Sequence, residues 1–530
     1  MTPKQPNILF LMADQVAASA LPFYGHPLVK TPHLSRLAAE GVVFDSAYCN
    51  SPLCAPSRFT LMAGQLPSRI GGYDNAAEFA ADTPTFAHYL RDAGYCTALT
   101  GKMHFCGPDQ LHGFEERLTT DIYPADFGWF VDWEEFENRP SYYHNMSSVI
   151  QAGPCVRSNQ LDFDDEVTFR AKRFLHDYVR NNPVRNGEQR PFCLTVSLTH
   201  PHDPYTIPRE YWDRYDHDAI DMPRVPYSRE LTDPHSQRLR HVYQLDEDTV
   251  SDEQIRNARH AYYGALSYVD DQIGEVLKTL KETGLDEDTI IVFSGDHGDM
   301  LGERGLWYKM SWFEDSARVP MIVHAPSRFT PNRVHESVST MDLLPTFAEI
   351  AHDGAAPEYA VPIDGRSLLP HLTGTGGHDE VIGEYLGEGA IAPLLMIRRG
   401  RYKFVHTAPD PDQLFDLEAD PLELDNLAED PAHLDLCKQF RDEVASRWDY
   451  ERLHGEVIAS QRRRKLVSRA LMQGKVTPWD HQPLFDASTQ YMRNTIDLDD
   501  LERRARFPLA SNIHACTLRL PSPRQARRLP

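Results

Sequence analysis

The 530 residues include only 8 cysteines, scattered and never in a CxxC pair. A disulfide scaffold is therefore excluded, and a chain of this length buries enough core to need none. Long apolar runs are also missing. Nothing approaches the ~18 residues of a membrane helix. The start, MTPKQPNILFLMAD, has one Lys and a short apolar run ending at Asp14. That does not match a signal peptide, with ~7–15 apolar residues and a small-residue cleavage site. The sequence thus points to the cytoplasm, with reduced thiols and no membrane partner. Positive charge is scarce: 54 Lys+Arg against 78 Asp+Glu leave a net charge of −24. This argues against nucleic acid as a partner, because such binding rests on neutralised phosphates. It is compatible with a cationic substrate and, more simply, with solubility. Internal repeats are absent. The 41% hydrophobic share, with 30 Gly, is ordinary for a globular chain and excludes fibrous and disordered classes.

Strand-like runs occur at residues 7–12, 42–48, 95–100, 193–199, 289–294 and 319–324. Helical patterns lie between them. Thr31 reads as an N-cap followed by Pro32, with Gly41 as the stop. Apolar positions spaced by three and four predict a long helix over 252–284. This alternation predicts an α/β fold with a large, mostly parallel central sheet flanked by helices. After about residue 375 the texture changes. Residues 394–397 and 402–405 read as a hairpin, 410–430 as an acidic loop and 431–471 as one long helix. The last 60 residues are polar and read as an arm. The expected division is a catalytic domain over 1–375, a smaller α+β subdomain over 376–470 and an extended tail over 471–530.

In sheets of this type ligands bind beyond the carboxyl ends of the strands. Asp14-Gln15 and Asp296-His297 both follow apolar runs. Such carboxylates are either helix caps or oxygen ligands for a hard cation. Cys54 opens CAPSR, where Pro56 suits a first helical turn. It is either a buried thiol or a group facing the free amides of a helix N-terminus. Lys102 and His104 (GKMH), His200 and His202 (THPHD), and Lys309 are further polar candidates. Each alone reads as readily as an ordinary surface or core side chain.

Their joint order carries more: PNILFLMAD, TPHLSRLAAEGVVF, CAPSR, GKMH, SLTHPHDPY, IIVFSGDHGD, a Lys ahead of RVPMIV, and LFDLEADPLELDNLA. With these segments the chain resembles the sulfatase family of the alkaline-phosphatase-like superfamily over roughly residues 5 to 430. CAPSRFTLMAGQLPSRIGGYDNAAEF, the aromatic stretch from Tyr123 and the long tail resemble in particular the choline sulfatases. Gln15 and His297 stand where many sulfatases carry Asp and Asn, a departure shared by choline sulfatases and phosphonate monoester hydrolases. Ala63 stands where Thr is common, which bears on the maturation signal.

The resemblance implies that Cys54 is oxidised to formylglycine, whose hydrate attacks sulfur through one hydroxyl and expels sulfate through the other. It implies one divalent cation, calcium with magnesium or manganese as alternatives, held by Asp14, Gln15, Asp296 and His297. His297 either binds the ion or contacts the diol. Arg58 would hold the diol oxygen, and Lys102 and Lys309 the sulfate oxygens. His104 would be the base for sulfate release, and His200 or Lys309 the acid for the leaving alkoxide. Residues 123–143 hold eight aromatics: Tyr123, Phe127, Trp129, Phe130, Trp133, Phe136, Tyr142 and Tyr143. They read as a core wall or as a box for a quaternary ammonium, with Trp129 foremost. Asn75 is a further substrate-binding candidate, and Asp500 either closes that box or lies in a solvated acidic turn. The expected function is hydrolysis of choline sulfate, a small sulfate ester with a cationic headgroup. The expected assembly is a homotetramer whose tail reaches a neighbouring subunit. The alternatives are a phosphonate monoester or phosphodiester hydrolase, an arylsulfatase, and a non-catalytic choline-binding protein.

Overall fold

The computed structural model describes residues 5–123, 127–137, 144–181, 183–185, 188–245, 250–473 and 498–506. Tyr142, Tyr143, Asp497 and most of the expected tail lie outside the described residues. The strands of the main sheet are β1 (Asn7–Asp14), β2 (Val42–Tyr48), β3 (Cys96–Gly101), β4 (Glu116–Arg117), β5 (Phe192–Pro201), β6 (Thr289–Gly295), β7 (Met321–His324) and β8 (Asn332–Ser339). A second sheet holds β9 (Glu380–Tyr385), β10 (Leu394–Arg399), β11 (Tyr402–His406) and β12 (Gln413–Asp416). The helices used below are α1 (Pro32–Glu40), α2 (Cys54–Ala63), α3 (Asn159–Asn181), α4 (Asp252–Glu282), α5 (Leu343–Ala351), α6 (Leu434–Arg447), α7 (Tyr450–Leu471) and α8 (Leu498–Ala505).

The central strand explains the sheet. All eight residues of β1 are buried. Leu9, Leu11 and Ala13 enter one apolar core, shared with α4. Ile8, Phe10 and Met12 enter a second, shared with α2 and α5. A strand apolar on both faces needs helices on both sides, which is the parallel-sheet arrangement. The main sheet runs β8-β2-β7-β6-β1-β5-β3-β4. Pairing is parallel throughout except at β7, which is antiparallel to β6 and β2. The predicted α/β class with a mostly parallel sheet is thus observed. At the carboxyl end of β1 the register slips: Ala13 pairs with Leu198 but Asp14 with Pro201.

Two predicted details differ. Thr31 makes no capping bond. The first amides of α1 instead donate to Asp270 of α4, His33 at 3.0 Å and Leu34 at 2.7 Å. A carboxylate from a neighbouring helix has replaced the local cap. The long helix expected over 431–471 is two helices. Trp448 is extended and its indole N–H reaches Glu384 at 2.7 Å, while Asp449 caps α7 by accepting the Arg452 amide at 3.1 Å. The smaller sheet is antiparallel in the order β9-β10-β11-β12, with the predicted hairpin turning at Gly400. It is tied to the main body by Lys403, buried, whose Nζ lies 2.8 Å from Glu314 and 2.6 Å from Glu423. Among the described residues no helix is long and apolar enough to cross a membrane. None of the seven described cysteines forms a disulfide.

Candidate active site

Five polar segments meet beyond the carboxyl ends of the parallel strands. Asp14 ends β1, Lys102 follows β3, His202 follows β5, and Asp296 follows β6. Cys54 is the first residue of α2, 2% exposed, in a helix buried along its whole length. The connections demand unusual backbone. A Cβ on Gly101 would stand 1.9 Å from the Ser197 carbonyl, and one on Gly298 2.0 Å from the Asp315 carbonyl. Only glycine brings Lys102 and His297 in beside those strands. Non-glycine residues around the site are themselves left-handed: Gln15 (φ 63°), His104 (58°), Tyr308 (62°) and Met310 (77°). Such conformations cost about 1–3 kcal/mol each and cluster where function holds them.

Asp14, Cys54, Asp296 and His297 each place a potential ligand atom within 4.8 Å of the others, and all four are buried. Cys54 Sγ is 3.2 Å from His297 Nε2 and 3.5 Å from Lys102 Nζ. Lys102 also pairs with Asp14. Arg58 Nε donates to Asp296 at 2.8 Å and its Nη1 to Ser197 at 2.9 Å, while Nη2 lies 3.5 Å from Asp14. The Gln15 amide donates to Asp299 at 2.7 Å, and its carbonyl accepts from Lys309 at 2.7 Å. Two buried carboxylates, an imidazole and an amide carbonyl suit a divalent oxygen-seeking cation, so the residues fit the metal the sequence implies.

Charge dominates this pocket. Burial alone would raise the Cys54 thiol, but Lys102, Lys309 and His297 hold it well below the ordinary thiol value. Burial likewise opposes ionisation of Asp14, and Lys102 beside it wins, holding the carboxyl below the usual range. Burial would strip the proton from Lys309, yet Cys54, Asp203 and Asp14 raise it. His297 is raised against burial by Asp296 and Cys54.

The structure brings Cys54, Arg58, Lys102, Lys309, Asp14, Gln15, Asp296 and His297 together. His104 is 1% exposed, and neither ring nitrogen has a hydrogen-bond partner among the described residues. The ring still lies close enough to Cys54 to favour its thiolate. Trp129 meets the His104 ring edge-on, with centroids 5.9 Å apart. Asn75 Oδ1 accepts the Ala55 amide at 3.0 Å, beside Cys54.

His200 is not brought there. Its Nδ1 pairs with Asp164 of α3 at 2.7 Å, and its ring lies edge-on to Tyr268. The histidine facing the site is His202, whose Nε2 is 3.1 Å from Lys309 Nζ and whose Nδ1 is 2.7 Å from the Asp203 carbonyl. Asp500 is 49% exposed, and within this chain its Oδ1 accepts from Arg503 of its own helix at 2.8 Å. Its neighbours on α8 reach the site wall: Asp499 accepts from Asn145 at 2.6 Å, and Glu502 from Gln160 at 3.2 Å. Sequence reading also missed Glu388, 6% exposed, which pairs with His144 at 3.2 Å next to the Tyr308 ring. No local pattern marks Glu388.

The sulfatase family model matches residues 6–353, and that for the choline sulfatase enzyme C terminal matches 455–507. The chain is 48% identical over 516 residues to the choline-sulfatase of Rhizobium meliloti (strain 1021), covering 96% of this chain and 99% of that protein. It is 28% identical to an arylsulfatase of Clostridium perfringens, over 80% of this chain and 90% of the other. The structure of the phosphonate monoester hydrolase of Agrobacterium radiobacter superposes with a TM-score of 0.65 at 24% identity, covering 83% of this chain and 95% of that one, a likeness of fold. The mostly parallel sheet, the cationic cluster around Cys54 and these matches together place the chain in the sulfatase family, the hydrolases of sulfuric esters.

Proposed function

We propose that the protein hydrolyses choline sulfate to choline and sulfate. The observation that carries this reading is one cluster with two characters: a cationic floor of Arg58, Lys102 and Lys309 around Cys54, and a wall holding Trp129, against His104, and the carboxylates of Asp203 and Glu388, which join Lys309 through His202 and His144. The floor suits sulfate. The wall suits a quaternary ammonium, through ring and carboxylate attraction. The match to the choline sulfatase C-terminal model supports the same substrate.

The Cys54 sulfur stands where the oxygens of formylglycine would lie. Hydrated formylglycine supplies one hydroxyl to attack sulfur and a second to release sulfate, and a bound divalent ion, calcium foremost, supplies positive charge. Asp14, Gln15, Asp296 and His297 would hold that ion. Conversion of Cys54 would also remove a thiolate, which leaves Arg58, Lys102 and Lys309 freer to attract an anionic ester. Arg58 fixes both carboxylates. Lys102 and Lys309 flank the sulfate. His104 takes the proton of the second hydroxyl. His202 replaces His200 as acid: its hydrogen bond with Lys309 lets either give a proton to the leaving alkoxide, a poor leaving group without one. We place the protein in the cytoplasm as a homotetramer, with residues 1–375 catalytic, 376–470 a smaller subdomain and 471–530 an arm between subunits.

Mass spectrometry of the Cys54 peptide tests the modification: formylglycine is about 18 Da lighter than cysteine. Side-by-side kcat/KM on choline sulfate and a phenyl phosphonate ester tests the substrate. An unmodified, inactive Cys54 chain that binds choline, or a preference for the phosphonate, would overturn the reading.

A further inference from the structure

Trp129 lies in a stretch with little regular structure, a single turn over Phe127–Trp129 followed by bends to residue 137. Such a stretch does not hold an aromatic wall by itself. Its anchor is α7, more than 320 residues away in sequence. Gln461 Oε1 accepts the Trp133 amide at 3.0 Å. Arg462 forks onto Glu134 at 2.5 and 2.6 Å. Lys465 Nζ lies 2.5 Å from Asp132 and 2.9 Å from Glu135. Positions 461, 464 and 465 share one helical face.

Arg464 on that face reaches further in. Its guanidinium grips both oxygens of Asp74, Nη2 at 2.9 Å from Oδ2. These side chains are 8% and 0% exposed, whereas Arg462 and Glu134 are 67% and 42% exposed. Exposed pairs contribute little. Breaking a buried one leaves an uncompensated charge, so the energetic weight falls on Arg464–Asp74. Asp74 also accepts the Ala76 amide at 3.0 Å and the Val131 amide at 3.4 Å. One carboxylate therefore joins α7, the segment carrying Trp129, and the loop carrying Asn75, which bonds the Ala55 amide beside Cys54. The bidentate fork is particular to arginine; lysine cannot span both oxygens.

We propose that Arg464, acting through Asp74, is a positioning residue for substrate specificity: it sets the distance between the headgroup wall and the Cys54 floor. The inference rests on the choline sulfate reading above. It also gives α7 a task inside its own subunit.

The test compares wild type with Arg464→Lys, Arg464→Gln and the double variant Asp74→Asn/Arg464→Gln, on choline sulfate and on 4-nitrophenyl sulfate, which has no cation. The expected result for Arg464→Lys is a KM for choline sulfate raised about tenfold, or about 1.4 kcal/mol. For the aryl ester kcat/KM should change less than about twofold, the signature of lost substrate positioning. Hydrogen–deuterium exchange should rise in peptides covering 127–137 and 72–77 and stay level in α2. Unchanged KM and exchange in a folded Arg464 variant would overturn the proposal. So would equal losses on both esters. If the single variants fail to fold, the double variant, which trades the ion pair for two amides, carries the same expectations and the same refutations. A wild type with no preference for choline sulfate would sink the substrate reading alone; faster exchange at 127–137 would still support the clamp, and its absence would still overturn it.

Discussion

Around Cys54, burial and charge act against each other. Every ionised group there is denied water, and each persists because an opposite charge stands beside it. Removing one partner therefore has effects beyond its own role. Asp14→Asn and Asp296→Asn should each lower the bound metal, because one of only two carboxylates loses its charge; elemental analysis of purified protein checks this, and full occupancy would place the ion elsewhere. His202→Ala should cut turnover of choline sulfate by about 10²–10⁴-fold, the usual worth of a general acid, and that of 4-nitrophenyl sulfate far less. His200→Ala should spare both within a few-fold, because Asp164, its partner, still accepts the Thr199 and residue-200 amides. The reverse ranking would return the role to His200. Sequence alone put Lys102 and both polar pairs at the ends of strands and Cys54 at a helix start, and the fold brought them together with Lys309. It named His200 where the structure turns His202 toward Lys309. His200 lies in β5 and His202 just past its end, where the register slips between Asp14 and Pro201, a slip that leaves no trace in residue type.

Elements here are held at their ends by distant side chains. Asp270 of α4 receives the first amides of α1, and burial pushes its carboxyl from 3.8 up to about 6. The native state thus holds this proton more tightly than the unfolded chain. Its contribution is present at low pH and is lost as pH rises between 3.8 and about 6. Wild-type stability relative to Asp270→Asn should accordingly fall across that window and level off above it, as thermal melts of both proteins from pH 4 to 7 would record. A difference independent of pH would refute the shift. Lys403 ties the smaller sheet to Glu314 and Glu423, and Lys403→Met would strand the buried Glu423 and take a cation from Glu314. A loss of about 3–5 kcal/mol is expected, measured by urea unfolding. The α4 helix was legible because its apolar period runs uninterrupted behind a Ser251 cap. The cap of α1 and the break at Trp448 were not, since Asp270 acts across more than 230 residues and Glu384 across 64.

For the whole molecule, the alternation of strands with helices announced a sheet covered on both faces, and the structure assigns the odd and even residues of β1 to separate cores. Strand order and the reversed β7 were illegible, because hydrophobic periodicity carries no direction. The arm is the other large-scale feature. Among its described residues only α8 has regular structure, and it rests on the wall of the site. Truncation after Gln473 should lower the assembly from the proposed tetramer, as light scattering would show, and raise the KM for choline sulfate. A truncated protein of unchanged mass would remove the arm from the interface.

The burial of α2 has a consequence in time. Cys54 is 2% exposed, and all ten residues of its helix are interior. No modifying enzyme can take this peptide into its own cleft once the sheet has closed over it. The conversion proposed for Cys54 thus belongs to the nascent or unfolded chain. Each molecule's catalytic fate is settled during synthesis: a copy that folds first keeps its thiol for life.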